Sequence, residues 1–203
     1  MKYKKWIEGI TRVRGEIESR LNKVRLDKNE RLAYFGDDFW KGIMGKLTQE
    51  HVLAYPEVEH LYEKLARFLK LTAEHLAITA GSDSAIKTAF ELFVNPGDKV
   101  IFLNPTFAMV EVYCNLYNAE KIKIGYDSNL EPDINSLMDA IAEDVALVII
   151  ANPNSPTGTY IDNETIEKIV KKASASGIPV LIDEAYYGFC PYTAIHILED
   201  YDN

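Results

Sequence analysis

The stretch "ALVIIANPNSPTG", residues 146–158, carries the architecture of this chain in miniature. Six apolar residues, Ala146 to Ala151, run without a polar interruption into a loop stiffened by Pro153 and Pro156. A half-solvated strand alternates apolar and polar residues, whereas a strand with no polar position is covered on both faces. The same construction recurs on either side. Val100 to Leu103 stops at Asn104-Pro105-Thr106-Phe107, and Val180-Leu181-Ile182 stops at Asp183-Glu184-Ala185-Tyr186. Lys121 to Ile124 alternates and Leu76 to Thr79 is short and apolar, so both are expected as strands.

Helical spacing fills the intervals. Ser82 to Val94 is closed by Asn95-Pro96-Gly97-Asp98. Thr106 to Tyr117 follows, then Asp133 to Ala142 with Ile134, Leu137, Met138 and Ile141 on one side. Asn163 to Ser176 ends before Gly177, a natural left-handed cap. Val58, Leu61, Leu65, Phe68 and Leu69 mark an earlier helix. Lys4 to Asn22, with Trp6, Ile7, Ile10, Val13, Ile17 and Leu21, is expected as a helix with a modest apolar stripe, and Leu26 to Glu30 as a short extended piece. Buried strands interleaved with helices predict an α/β fold, a mostly parallel sheet with helices on both faces.

Composition narrows the function classes. The chain has 203 residues, 47% hydrophobic and 26% charged, enough for one sizeable core. Its net charge of −9 offers no electrostatic footprint for nucleic acid or an anionic membrane surface. The longest apolar run is too short to span a bilayer. No apolar signal region follows the basic start MKYKKWIEGITRVRGE, so no export is expected. Cys114 and Cys190 form no CxxC pair, which favours a reducing cytoplasm. His51, His60, His75 and His196 fall at no metal-ligand spacing, and no metal site is expected.

In parallel sheets, ligands bind beyond the carboxyl ends of the strands, and four unusual loops leave at that edge. Gly81-Ser82-Asp83-Ser84 opens a helix, where free N–H groups and the helix dipole favour an anion. Taken alone, Ser82 is more simply a helix cap. Asp83 must turn its side chain aside, a cap being one use for it, while its N–H faces the anion. A P-loop nucleotidase is a distant alternative, because Lys87-Thr88 and a strand ending in Asp-Glu match in part. Ile86 stands where that motif needs its second glycine, and its branched side chain would obstruct the phosphate wrap. Phe107 could stack on a flat ligand or fill core. Asp183 and Tyr186 can meet one ligand if the chain turns between them, and a buried Asp183 needs a cation or hydrogen-bond donors. An anion site, an aromatic shelf, a rigid polar loop and a buried carboxylate together suit a flat, phosphorylated ligand with a protonatable ring nitrogen. Pyridoxal 5'-phosphate fits that description.

The segments Leu26 to Glu30, Tyr55-Pro56-Glu57, Thr79 to Asp83, Asn104 to Phe107, Asn152 to Gly158 and Asp183 to Tyr186 occur together and in order. In this the chain resembles the fold-type-I pyridoxal-phosphate aminotransferases, most closely the histidinol-phosphate aminotransferase-like branch, from about residue 26 onward. The resemblance implies the large domain of the aspartate-aminotransferase-like fold over residues 51–203, incomplete at its C-terminal end. Residues 1–50 would form an N-terminal arm and part of the small domain. It implies that Ser82 and Asp83 offer backbone N–H groups to the cofactor phosphate. Phe107 would stack on the pyridine ring, Asp183 would keep the ring nitrogen protonated, and Tyr186 would bond the phenolic oxygen. Tyr55 would reach the phosphate of a neighbouring subunit in a homodimer, and Asn29 would lie near the substrate. Relatives carry asparagine directly before Pro-Thr-Gly, where this chain has Ser155 preceded by Asn154, and either could make that contact. The Schiff-base lysine expected beyond Asp183 is absent, as is the C-terminal arginine that grips the substrate carboxylate. Lys168, Lys171 and Lys172 belong to a solvated helix face. The chain is therefore expected to be a fragment or a broken copy, inactive and poorly folded alone. The implied reaction moves an amino group from an amino acid or amino phosphate to a 2-oxo acid. A related pyridoxal-phosphate decarboxylase or a non-catalytic cofactor-binding protein are the alternatives.

Overall fold

The computed structural model describes residues 4–10 and 19–203. Two compact units emerge, Val13–Ala77 and a second that joins Met1–Arg12 to Ile78–Asn203. The two compact units part between Ala77 and Ile78. Of the helix expected over Lys4 to Asn22, residues Lys5–Ile7 form a single 3-10 turn and residues 11–18 lie outside the described residues.

The Val13–Ala77 unit holds helices α1 (Asp37–Met44), α2 (Glu50–Leu53) and α3 (Glu59–Leu69). The period of Val58, Leu61, Leu65 and Phe68 thus yields its helix, which closes on Lys70 in a left-handed conformation, φ 58°. Among the described residues of this unit, Ala66 alone is buried. Leu26 to Glu30 is not extended. Arg20 binds both Asp27 and Glu30, Arg25 also reaches Glu30, and Asn29 sits at φ 53°, so charge pairing folds the segment into a bend.

The other unit carries the sheet. Helix α4 (Gly81–Phe93) precedes β1 (Lys99–Leu103), α5 (Ala108–Tyr117), β2 (Glu120–Ile124), α6 (Ile134–Ala140), β3 (Val145–Ala151), α7 (Asn163–Ser174) and β4 (Val180–Asp183). All strand pairs are parallel, in the order β2-β1-β3-β4. Alternation along the strands fills two layers. Ile101, Leu103, Val148 and Ile150 pack with Leu137, Ile166, Ile169 and Ala173 of α6 and α7. Val100, Phe102, Leu147 and Ile149 pack with Ile86, Phe90, Val110 and Cys114 of α4 and α5. Each such fully buried side chain stabilises by about 1.5–3 kcal/mol. Burial also pushes the Cys114 thiol up to about 12, which leaves it an inert packing group. Asp133 and Asp162 begin α6 and α7 by accepting the Ser136 and Thr165 N–H groups at 3.0 and 2.9 Å. Leu76 to Thr79 is not a strand, since no ladder partner lies beside it among the described residues.

Candidate functional site

The carboxyl ends of β1, β3 and β4 and the start of α4 converge on a cavity of 210 Å³, lined by Ser82, Phe107, Ala151, Pro153, Ser155, Asp183, Ala185 and Tyr186. All four loops singled out in the sequence contribute to it. The Val13–Ala77 unit holds Asn29 and Tyr55, the latter fully exposed.

Ladder register places the acid. Ala151 pairs with Asp183 across β3 and β4, and the Asn152 N–H donates to the Asp183 carbonyl at 2.9 Å. This anchors the backbone of Asp183, whose side chain is 9% exposed. Burial pushes its carboxyl above the ordinary carboxylate range, against the Ala185 N–H at 3.1 Å and the Ser82 hydroxyl, which both draw it down. No cationic side chain pairs with it among the described residues. A buried carboxylate on a cavity wall with no cationic partner is the hydrogen-bond acceptor that a protonated ring nitrogen requires. The neighbouring acid does other work. Glu184 accepts the Thr193 hydroxyl at 2.7 Å and the Ala194 N–H at 2.6 Å, tying down the chain beyond Tyr186.

The anion end is the start of α4. Gly81 takes φ 80°, a left-handed turn that favours glycine, and admits the chain to the helix. No side chain caps α4, so neither Ser82 nor Asp83 serves as its cap. Asp83 does turn aside, but toward α5, where the Tyr113 hydroxyl donates to it at 2.9 Å. The N–H groups of the first turn have no partner within the helix. The nucleotidase alternative fails here. Ile86 is a core residue in mid-helix, Lys87 pairs with Glu91, and the Thr88 hydroxyl donates back to Ser84.

Asn152 and Asn154, both buried, hold the rigid loop. Asn152 accepts the Ile161 N–H at 2.7 Å and donates to the Ile161 carbonyl at 3.0 Å, closing the loop at its base. Asn154 clamps two loops together. It accepts the Thr106 hydroxyl at 2.7 Å, and donates to the Pro105 carbonyl at 3.0 Å and the Thr157 hydroxyl at 2.9 Å. Gly158, at φ 73°, completes the turn by donating to the Asn154 carbonyl. Asn154 is thereby committed to the loops, and Ser155 lines the cavity. Phe107 stands at the entrance to α5, half-buried against the α4–α5 core, with its ring also on the cavity wall. The core reading of Phe107 holds, and the same residue lines the cavity.

Residues 38–203 match the family described as "Aminotransferase class I and II". The chain is similar to a histidinol-phosphate aminotransferase of Caldanaerobacter subterraneus subsp. tengcongensis, 34% identical over 195 residues, covering 93% of this chain and 54% of the relative. It is likewise similar to a histidinol-phosphate aminotransferase of Dehalococcoides mccartyi, 33% identical over 180 residues, covering 89% of this chain and 49% of the relative. Among solved structures it is similar to a PLP-dependent aminotransferase from Streptococcus suis, with a TM-score of 0.64 and 25% identity, covering 82% of this chain and 45% of the other. The chain spans about half the length of the curated relatives it matches.

Proposed function

This chain belongs to the class I and II aminotransferases, and from that premise we propose that it builds the pyridoxal-phosphate cradle of a histidinol-phosphate-type aminotransferase. The reaction moves an amino group between an amino acid or amino phosphate and a 2-oxo acid. The observation that carries the reading is Asp183, buried without a cationic partner among the described residues at a cavity walled by four loops. When bound, pyridoxal phosphate supplies an electron sink for the electron pair left at the substrate carbon, and the sink works best with its ring nitrogen protonated. Asp183 holds that proton in place. Phe107 covers a ring face, and Ser155 and Tyr186 present hydroxyls to the ring's phenolic oxygen. The first-turn N–H groups of α4, with Ser82 and Asp83, take the phosphate. The cavity, at 210 Å³, is smaller than whole ligand sites, which run to roughly 300–1,000 Å³.

Further roles follow from the resemblance. Residues 51–203 form the cofactor-binding large domain, and residues 1–50 an arm and part of the small domain. In a homodimer Tyr55 reaches the phosphate of the second subunit, and Asn29 lies near the substrate. No lysine follows Asp183 within these 203 residues, so covalent anchoring and lysine-mediated proton transfer are not assigned to them. Their part is to bind and orient. The two unpaired cysteines support a reducing, cytoplasmic setting.

The test adds pyridoxal phosphate to the purified protein and follows absorbance near the visible edge. A saturable band that dialysis removes is expected, without amino transfer to a 2-oxo acid by these residues alone. Absence of a band overturns the cofactor assignment, and turnover overturns the division of labour. Phe107→Ala should weaken cofactor retention by about 0.5–1.5 kcal/mol, the worth of one aromatic stack, or roughly 2- to 10-fold in the titrated Kd. Unchanged retention would return Phe107 to the core alone.

A further inference from the structure

We propose that Tyr113 is a positioning residue for the phosphate end of the cavity, a role that rests on the cofactor reading above. The start of α4 presents N–H groups and a partial positive charge to an anion, yet its first turn also carries the carboxylate of Asp83. Left to itself, that carboxylate would compete for the same N–H groups and repel a phosphate dianion. The structure shows what removes it. The Tyr113 hydroxyl, from α5, donates to Asp83 Oδ1 at 2.9 Å. Tyr113 is 6% exposed, and its ring lies tilted at 43° against Phe90 of α4, with centroids 5.8 Å apart. The phenol therefore sits on a rigid platform and holds the carboxylate toward α5. Phe107 stands at the entrance to the same helix, so α5 sets both the ring shelf and the charge restraint.

The measurement compares two ligands that form no adduct with lysine, pyridoxamine 5'-phosphate and pyridoxamine, titrated by absorbance into wild-type and variant protein. Tyr113→Phe keeps the ring on Phe90 and deletes only the hydroxyl. It should weaken pyridoxamine 5'-phosphate by about 10- to 100-fold, the scale of one hydrogen bond to a charged group, and leave pyridoxamine binding unchanged. Adding Asp83→Asn to that variant should restore the phosphate form, because the released side chain no longer carries charge. Equal losses for both ligands, or no rescue by Asp83→Asn, reduces Tyr113 to helix packing and overturns the proposal. Full affinity in Tyr113→Phe overturns it as well while leaving the cofactor reading intact. Wild-type protein that binds neither ligand defeats the cofactor reading and this inference together.

Discussion

Asp183→Asn is expected to lower the affinity for pyridoxal phosphate by roughly 2 × 10²- to 5 × 10³-fold, the consequence of breaking a buried charge pair at a cost of about 3–5 kcal/mol. Asparagine matches the carboxylate in shape and can still accept the Ala185 N–H, so the loss reports charge rather than packing. The same substitution should stabilise the ligand-free protein at neutral pH. Burial raises the folded-state pKa of Asp183 above its unfolded value. Below the unfolded pKa both states carry the proton and the group makes no difference. As pH rises through the interval up to the folded pKa, the unfolded chain releases its proton first and the fold loses stability. Above the folded pKa the full penalty applies. Asparagine removes that penalty. The melting temperature of Asp183→Asn should therefore exceed that of wild type at pH 7, and the advantage should vanish as pH falls below the ordinary carboxylate range, about pH 3–4. Normal cofactor affinity in the variant would remove Asp183 from the site, and an advantage that persists in acid would show that desolvation is not the cause.

The second large effect belongs to Asn154→Ala. Three hydrogen bonds disappear, to Thr106, Pro105 and Thr157. At about 1 kcal/mol each they predict a loss near ~3 kcal/mol, or roughly 6–12 °C in melting temperature for a chain of this size. The damage should be functional too, since this side chain joins the loop carrying Phe107 to the loop carrying Ser155. Cofactor affinity should fall by more than in Phe107→Ala. Asn154→Asp should not rescue it, because a carboxylate accepts from Thr106 but cannot donate to the Pro105 carbonyl. Stability within about 1 kcal/mol of wild type would show that the loops do not depend on the clamp.

Much of this is legible in the sequence. Ala146 to Ala151, Val100 to Leu103 and Val180 to Asp183 read as strands because continuous apolar runs between helices admit one burial pattern. The cavity residues Phe107, Ser155, Asp183 and Tyr186 follow from where those strands end, whereas Ser82 opens α4 after a segment that is not a strand. What escaped depends on partners distant in sequence. Leu76 to Thr79 has the composition of a strand but no neighbouring ladder among the described residues. Leu26 to Glu30 is bent by Arg20 and Arg25, whose pairing no local propensity encodes. The roles of Asn152 and Asn154 turn on which carbonyl approaches which amide, and a one-dimensional pattern holds no such directions. Asp83 was foreseen to look away from an anion, but its host Tyr113 lies 30 residues on.

The ladder of β3 and β4 acts as a ruler. Ala151 stands beside Asp183, and successive side chains of β4 face opposite ways. Inserting or deleting one residue between Val180 and Ile182 would rotate the acid onto the far side of the sheet, where Val180 and Ile182 now pack beside the α6–α7 layer. The number of residues in β4, more than their identity, thus fixes which way Asp183 faces. A change in that number would take the acid away from the cavity, however well the remainder was preserved.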